Sequence, residues 1–357
     1  MEIRITRARD EVRRKKPADE SRLGFGDVFT DHMFVMDHEP DRGWHDPRIE
    51  PLRDLSLNPA AMALHYGQEI FEGLKAYAAR DGQVFLFRPA ENFRRLNRSA
   101  ARLCMPPIDG DLALAGLKQL IHLDRDWVPK GAGTSLYIRP AMIAVEPHLG
   151  VRPAKKYLFF IILCPVGAYY KEGLNPVSIF VEDTYVRAAP GGTGEAKAAG
   201  NYAASLLAFE RIRAEGFAQV LWLDATEHRY VEEVGSMNIF FATAEEVLTP
   251  PLTGSILPGI TRDSVIRILE HWRIKISERP IAMDELVAGI RAGAIREAFG
   301  TGTAAVISPI GRIRYKGETL VVADGRMGEL SKRLYQEITG IQTGRREDRF
   351  RWREPVE

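Results

Sequence analysis

Eight consecutive residues, Tyr157-Leu-Phe-Phe-Ile-Ile-Leu-Cys164, constrain this chain more than any other feature. The run is far shorter than the roughly 20 apolar residues of a membrane helix. It has no polar face, so it reads as a strand buried on both sides. Such a strand needs other elements to cover it. The 357 residues are enough for one large domain or two ordinary ones, without disulfide staples.

The rest of the chain supplies the cover. Met33-Phe-Val-Met36 and Val84-Phe-Leu-Phe87 read as strands, the second introduced by the turn Arg80-Asp-Gly82. Pro89 to Cys104 carries helical periodicity through Phe93, Leu96 and Leu103, and Leu112 to Trp127 through Leu117, Leu120, Ile121 and Leu123. Ser135 to Val145 completes this first half. Strands are predicted again at 177–181, 219–223, 238–242 and 297–299, and helices at 201–215, 262–272 and 283–292. Interleaved strands and helices make the class mixed α and β. The turn-rich stretch Pro165 to Pro176 divides the two halves. The predicted organisation is a polar tail over 1–22, more often disordered than functional. A small N-terminal domain over 23–165, a linker over 166–176 and a large C-terminal domain over 177–357 follow it.

Charge excludes some functions. Lys plus Arg total 49 against 48 for Asp plus Glu, a net charge of +1 with no general pull toward nucleic acid or anionic membrane. The two cysteines, Cys104 and Cys164, form neither a disulfide framework nor a zinc site, and both are expected to be buried. The charged N-terminus, Arg13-Arg14-Lys15-Lys16 among acids, lacks the apolar core of a secretory signal. A cytoplasmic protein is expected.

Four stretches have compositions suited to chemistry. In Ala189-Pro-Gly-Gly-Thr-Gly-Glu-Ala-Lys-Ala-Ala-Gly-Asn-Tyr202 a single lysine, Lys197, lies among glycines and alanines before a helix. Small residues let a planar ligand approach the backbone, and a crowded, dry lysine loses its proton to become a nucleophile. A flexible surface loop with a solvated lysine is the commoner meaning of such composition. Val231-Glu-Glu-Val-Gly-Ser-Met-Asn238 places two acids between apolar residues. A buried carboxylate there needs a cationic or proton-sharing partner, while an exposed acidic turn fits equally well. Leu257-Pro-Gly-Ile-Thr261 leads into a helix whose first amides suit an anion, or is an ordinary capping turn. Gly300-Thr-Gly-Thr-Ala-Ala305 is a further donor-rich turn. No histidine pair has metal spacing, and no dinucleotide loop, phosphate loop or nucleophile elbow is present.

Order and wording decide more than any one stretch. His65-Tyr-Gly-Gln-Glu-Ile-Phe-Glu-Gly-Leu-Lys-Ala-Tyr77, Phe87-Arg-Pro89, Gly133-Thr-Ser-Leu-Tyr-Ile-Arg-Pro140, Glu232-Glu-Val-Gly-Ser-Met-Asn-Ile-Phe240, Ile256-Leu-Pro-Gly-Ile-Thr-Arg262 and Phe299-Gly-Thr-Gly-Thr-Ala304 resemble branched-chain aminotransferases, fold type IV pyridoxal-phosphate enzymes. The likeness runs from about Gly24 to Ile341. It implies a two-domain α/β fold, pyridoxal 5'-phosphate as cofactor, and no metal. It also implies reversible transfer of the amino group of L-leucine, L-isoleucine or L-valine to 2-oxoglutarate. Lys197 matches the Schiff-base lysine and proton shuttle. Tyr202 matches the tyrosine at the cofactor's phenolic oxygen and Glu233 the carboxylate at its ring nitrogen. Arg88 matches the phosphate arginine, with Ile260, Thr261 and Thr303 completing that pocket. Tyr137 and Arg139 match a pair near the substrate carboxylate, with Ser236, Thr303 and Ala304 about it. Phe25, Tyr66, Phe71 and Tyr169 match the apolar side-chain pocket. Val151 matches a loop reaching into a partner subunit's site, which implies a homodimer. The length and Cys164-Pro-Val-Gly-Ala-Tyr169 resemble the larger subgroup that includes animal enzymes. A Cys-x-x-Cys pair that animal members often carry is replaced here by Ala305-Val-Ile-Ser308. A D-amino-acid transaminase or aminodeoxychorismate lyase of the same fold is the nearest alternative. A non-catalytic metabolite-binding protein is the alternative of another class.

Overall fold

The apolar run sits where its composition requires. In a computed structural model, which describes residues 1–167 and 174–356, strand Tyr157–Val166 lies between His32–Glu39 and Ser135–Ala144, antiparallel to both. Its period of two splits the side chains. Tyr157, Phe159, Ile161 and Leu163 enter the main core, under helices Pro89–Arg102 and Gly110–Leu123. Leu158, Phe160 and Ile162 enter a second cluster with Met33, Val35 and Ile143. A one-residue slip would exchange the two faces, so the register is strongly specified.

The described residues form two units, one of 1–167 with 196–199 and 340–356, the other of 174–195 with 200–339. The first unit's sheet runs Arg4–Ile5, Gly43–Pro51, His32–Glu39, Tyr157–Val166, Ser135–Ala144, Leu74–Ala78, Val84–Phe87, Arg353–Val356, with Glu69–Phe71 added on Ser135–Ala144. The second unit's sheet runs Val231–Val234, Gln219–Leu223, Val177–Glu182, Val306–Tyr315, Glu297–Gly302, Met237–Ala242, Val247–Thr249, Ile276–Glu278. Val231–Val234 also pairs with Met237–Ala242, which closes the first six of these strands into a ring. Helices Leu206–Ala214, Ile260–His271, Met283–Arg291 and Glu329–Gln342 accompany this sheet in the chain. The architecture is mixed α and β. No helix among the described residues is long and apolar enough to cross a membrane.

Four features differ from the sequence expectation. Residues 1–22, expected as a polar tail, are tied to the first unit. Arg4–Ile5 pairs parallel with Gly43–Pro51, and the Ala8 amide donates to buried His32 Nε2 at 2.8 Å. The Arg14 amide reaches Asp31 Oδ1 at 2.7 Å, and Glu20 Oε2 accepts the amides of Lys130 and Gly131 at 2.9 and 2.7 Å. These partners are distant in sequence, so composition did not reveal them. Residues 340–356, expected with the second domain, return to the first unit, where Arg353–Val356 pairs with Val84–Phe87. The helix expected over 201–215 breaks into Ala199–Ala203 and Leu206–Ala214. Ser205 causes the break, its amide and its hydroxyl both donating to the Tyr202 carbonyl at 3.1 and 2.7 Å. Cys164 is buried as expected, and burial pushes its thiol pKa up, but Cys104 is exposed. Cys104 follows helix Pro89–Arg102 at φ 54°, a turn conformation outside the core. Residues 168–173 of the expected linker, Tyr169 among them, lie outside the described residues.

Candidate active site

Within the first unit, Lys197 is held at its backbone and not by its ammonium alone. Its amide donates to Ser99 Oγ at 2.9 Å, and its carbonyl accepts the Phe71 amide at 3.1 Å. A bridge between Ile70 and Ala198 adds a second anchor. The lysine amine lies 4.8 Å from the Phe71 ring centroid, and the Arg139 guanidinium lies 4.6 Å from the same centroid. Tyr137 and Arg139 alternate on strand Ser135–Ala144, so their side chains share a face, and Arg139 donates to the Tyr137 hydroxyl at 2.9 Å. Phe25 meets the Tyr137 ring edge to face at 4.8 Å. Gly73 makes room for that hydroxyl, since a Cβ there would lie 2.3 Å from it. Phe25, Phe71, Tyr137, Arg139 and Lys197 are therefore one cluster. Arg139 Nε is buried without a hydrogen-bond partner, an unused donor beside the lysine.

Behind Phe71 stands a network to which the sequence reading gave no role. Glu72 is fully buried. Arg95 grips it through Nε and Nη2, each at 2.8 Å, and Asn92 Nδ2 donates to the same carboxylate at 2.8 Å. Burial alone would push the Glu72 pKa up, but the Arg95 charge, its hydrogen bonds and the charge of Lys197 hold it below the ordinary value. Lys75 is also buried, which brings its pKa down to about 8, and it sits directly opposite Tyr137 across the sheet. Both residues were within the quoted Phe71-Glu-Gly-Leu-Lys75 motif, yet nothing in the sequence named their partners.

Arg88 caps helix Pro89–Arg102 in a left-handed conformation, φ 52° and ψ 43°, just before a proline. Both circumstances are unfavourable for a non-glycine residue, and the surroundings hold it there. Its amide donates to the Trp352 carbonyl at 2.8 Å, and its guanidinium lies 5.2 Å from the Trp352 ring centroid. Tyr66 and Val151 belong to a more exposed patch. The Tyr66 hydroxyl donates to the Leu149 carbonyl, while Leu149 and Val151 are 63% and 85% exposed.

The second unit gathers the remaining candidates on its own sheet. Glu233, Asn238 and Thr301 are direct partners across three neighbouring strands, so they share a face. Asn238 Nδ2 donates to Glu233 Oε1 at 3.0 Å, the Leu257 amide reaches the same oxygen at 3.3 Å, and Arg187 Nε lies 2.7 Å from Oε2. The cation beside the carboxylate is thus Arg187, which no sequence signal marked. Glu232 points the other way in this extended segment, takes the Ser255 hydroxyl, and has its pKa raised by burial. Helix Ile260–His271 begins against this row. A Cβ on its cap, Gly259, would lie 2.0 Å from Asn238 Oδ1, so only glycine fits. Ile260 and Thr261 are the helix's first two residues, where amides and dipole favour an anion. Thr303 and Ala304 form the turn between Glu297–Gly302 and Val306–Tyr315, closed by Val306 at φ 62°, a strained value for a β-branched residue. Thr301 Oγ1 is buried without a partner. Ser236 is exposed in the two-residue turn after Glu233, and Tyr202 is half-buried on the short helix Ala199–Ala203. Among the described residues no group of His, Cys, Asp or Glu could hold a metal.

Each unit by itself holds groups suited to part of a phosphorylated aromatic carbonyl compound: the first an amine in a small-residue loop with an unused Arg139 donor, the second a glycine-capped helix start and a buried carboxylate. Comparison with known proteins places the chain in a class that uses one. The family model described as amino-transferase class IV matches residues 69–313. Branched-chain-amino-acid aminotransferase 2 of Bacillus subtilis (strain 168) is 58% identical over 339 residues, covering 95% of this chain and 93% of that one. The solved branched-chain amino acid aminotransferase of Escherichia coli superposes with a TM-score of 0.76 at 29% identity, covering 92% of this chain and 99% of that one. That of T.th., complexed with N-(5'-phosphopyridoxyl)-L-glutamate, gives 0.76 at 26% identity, covering 94% and 99%. This chain belongs to the branched-chain aminotransferases, within the class IV aminotransferase family.

Proposed function

We propose that this protein transfers the amino group of L-leucine, L-isoleucine or L-valine reversibly to 2-oxoglutarate, using pyridoxal 5'-phosphate. The observation that carries the reading is the cluster of Lys197, Phe71, Tyr137 and Arg139, an amine and a guanidinium on one aromatic ring. When bound, the cofactor supplies the carbonyl that accepts the amino group and an electron sink for the α-carbon. The protein's residues do the rest. Lys197 Nζ holds the cofactor at rest and moves the proton at the substrate α-carbon. Arg88, Ile260, Thr261 and Thr303 bind the phosphate, Tyr202 orients the phenolic oxygen, and Glu233 holds a proton at the ring nitrogen. Phe25, Tyr66 and Phe71 serve the apolar side-chain pocket, to which resemblance alone assigns Tyr169, outside the described residues. Such a pocket separates side chains by only about 1–3 kcal/mol per methylene, so the three branched substrates overlap. Tyr137 and Arg139, with Ser236, Thr303 and Ala304, receive carboxylates. The unused Arg139 Nε suits the second carboxylate of glutamate, the amino acid joined to the cofactor in the T.th. complex.

The exposed Leu149–Val151 loop supports a homodimer in which Val151 completes the partner's pocket. The two units correspond in this reading to an N-terminal and a C-terminal domain with the expected boundary in the 166–176 stretch, although the N-terminal unit, expected to be the smaller, is the larger because residues 340–356 join it. The protein works in the cytoplasm. Steady-state rates with L-leucine, L-isoleucine, L-valine and D-alanine, each against 2-oxoglutarate, test the function. Turnover of D-alanine above that of L-leucine would favour the D-amino-acid alternative and end the proposal.

A further inference from the structure

We propose that a cleft beside the 79–83 turn is a second ligand site, built for a small free anion carrying two or more phosphate-type charges. The cleft encloses about 610 Å³, within the roughly 300–1,000 Å³ of small-molecule pockets. Three arginines line it, Arg80, Arg345 and Arg353, with Gln83 and Phe85. Its only acid, Asp81, already accepts the Gln83 amide at 3.0 Å. The concentration of charge is local. Arg345, Arg346, Arg349, Arg351 and Arg353 fall within nine residues of a chain whose net charge is +1.

The cations are only partly neutralised in place, Arg353 by an ion pair with Asp348. Asp348 spends its oxygens on the amides of Trp352 and Arg353, at 2.9 and 2.7 Å. Arg353 Nε stays 3.7 Å from that carboxylate and is buried without a hydrogen-bond partner, a condition buried donors rarely tolerate. The Arg353 guanidinium lies 4.7 Å from the Phe85 ring centroid. Such stacking fixes a guanidinium while leaving its in-plane donors for an anion. Gly344, at φ 70°, clears the adjoining space, since a Cβ there would lie 2.8 Å from Arg353 Nη1. Arg345 is steadied through Nε on Thr343 Oγ1 at 2.8 Å, which leaves its two Nη groups. Among the described residues no carboxylate pairs with Arg80 or Arg345. Paired guanidinium forks match phosphate oxygens bidentately, and a concave site of this size admits a small molecule more readily than an extended polyanion.

Inorganic pyrophosphate is a suitable probe. It is titrated calorimetrically into the cofactor-loaded full chain with a saturating branched 2-oxo acid present, so that the amino-transfer site is occupied. Saturable binding with a dissociation constant below about 1 mM is expected. It should weaken at least about tenfold in Arg80→Ala and in Arg345→Ala, the loss of one charged hydrogen bond or more. Arg353→Lys, which keeps the charge but not the fork or the stacking, should weaken it similarly with an unchanged melting temperature. Leucine turnover in Arg80→Ala and Arg345→Ala should equal that of the parent. Absence of saturable heat, equal affinity in the three variants, or displacement by the 2-oxo acid would each overturn the site. So would binding to phosphatidylserine-containing vesicles without binding of pyrophosphate, which would make the patch a membrane contact.

Discussion

Replacing Glu72 by Gln removes the charge from a fully buried carboxylate while keeping its shape. Two Arg95 bonds and one Asn92 bond converge on it, all at 2.8 Å, and the side-chain exposures of Arg95 and Glu72 are 5% and 0%. Breaking a buried pair by removing one partner costs about 3–5 kcal/mol, because the remaining ion keeps its desolvation cost without this counter-charge. Glu72→Gln and Arg95→Met should each lose about that much. Removing both ions together should cost less than either alone, since the desolvation cost disappears with them. The assay is urea unfolding of the four proteins at one protein concentration, held fixed because association shifts apparent stability. Losses that simply add in the double variant would refute the reasoning. The pH dependence gives a second check. The folded pKa of Glu72 lies below the ordinary value of 4.5, so its contribution is present above that value and is lost as pH falls through the folded pKa. Glu72→Gln should therefore lose less stability on acidification than the parent. Because the Phe71 amide holds the Lys197 carbonyl, the variant should also turn over more slowly at saturating cofactor.

Lys197→Ala should lose turnover by several orders of magnitude, and borohydride reduction followed by mass spectrometry should find the cofactor on Lys197 and on no other lysine. Arg88→Ala should weaken cofactor retention more than it slows the saturated enzyme, as dialysis and cofactor titration would show; unchanged retention contradicts the phosphate role. Glu233→Gln should slow α-proton removal from deuterated leucine in a single turnover, whereas Glu232→Gln should do little, and the reverse order would move the assignment by one residue. Lys75 has a folded pKa of about 8 against an ordinary 10.5, so the unfolded chain binds more protons between those values and stability rises with pH across that window, by about 3 kcal/mol. Lys75→Met should flatten that rise in unfolding midpoints taken from pH 8 to 10.5, and an unaltered slope would sink the argument.

Several candidate-site stretches stood out in the sequence because their local composition is unusual. A lysine among small residues, a glycine before a helix and paired acids in an extended segment each follow from short-range steric or period-two constraints. Such constraints are written in neighbouring residues, so Lys197, Gly259 and the opposed Glu232 and Glu233 could be picked out one stretch at a time. The partners of those residues were not legible. Arg187 beside Glu233, Arg95 on Glu72 and Ser99 under the Lys197 amide lie 46, 23 and 98 positions away, and none sits in a distinctive stretch.

The sequence by itself determined the mixed class and the doubly buried strand at Tyr157–Val166, because hydrophobic period acts over a few residues. Only the tertiary structure decided that residues 1–22 are ordered, that the C-terminal strand Arg353–Val356 returns to pair beside Arg88, and which ion faces which buried ion. Backbone pairing and charge pairing are indifferent to separation along the chain: an amide needs an acceptor and a buried ion needs a counter-ion, and many residues could serve either until the fold brings one of them within 3 Å.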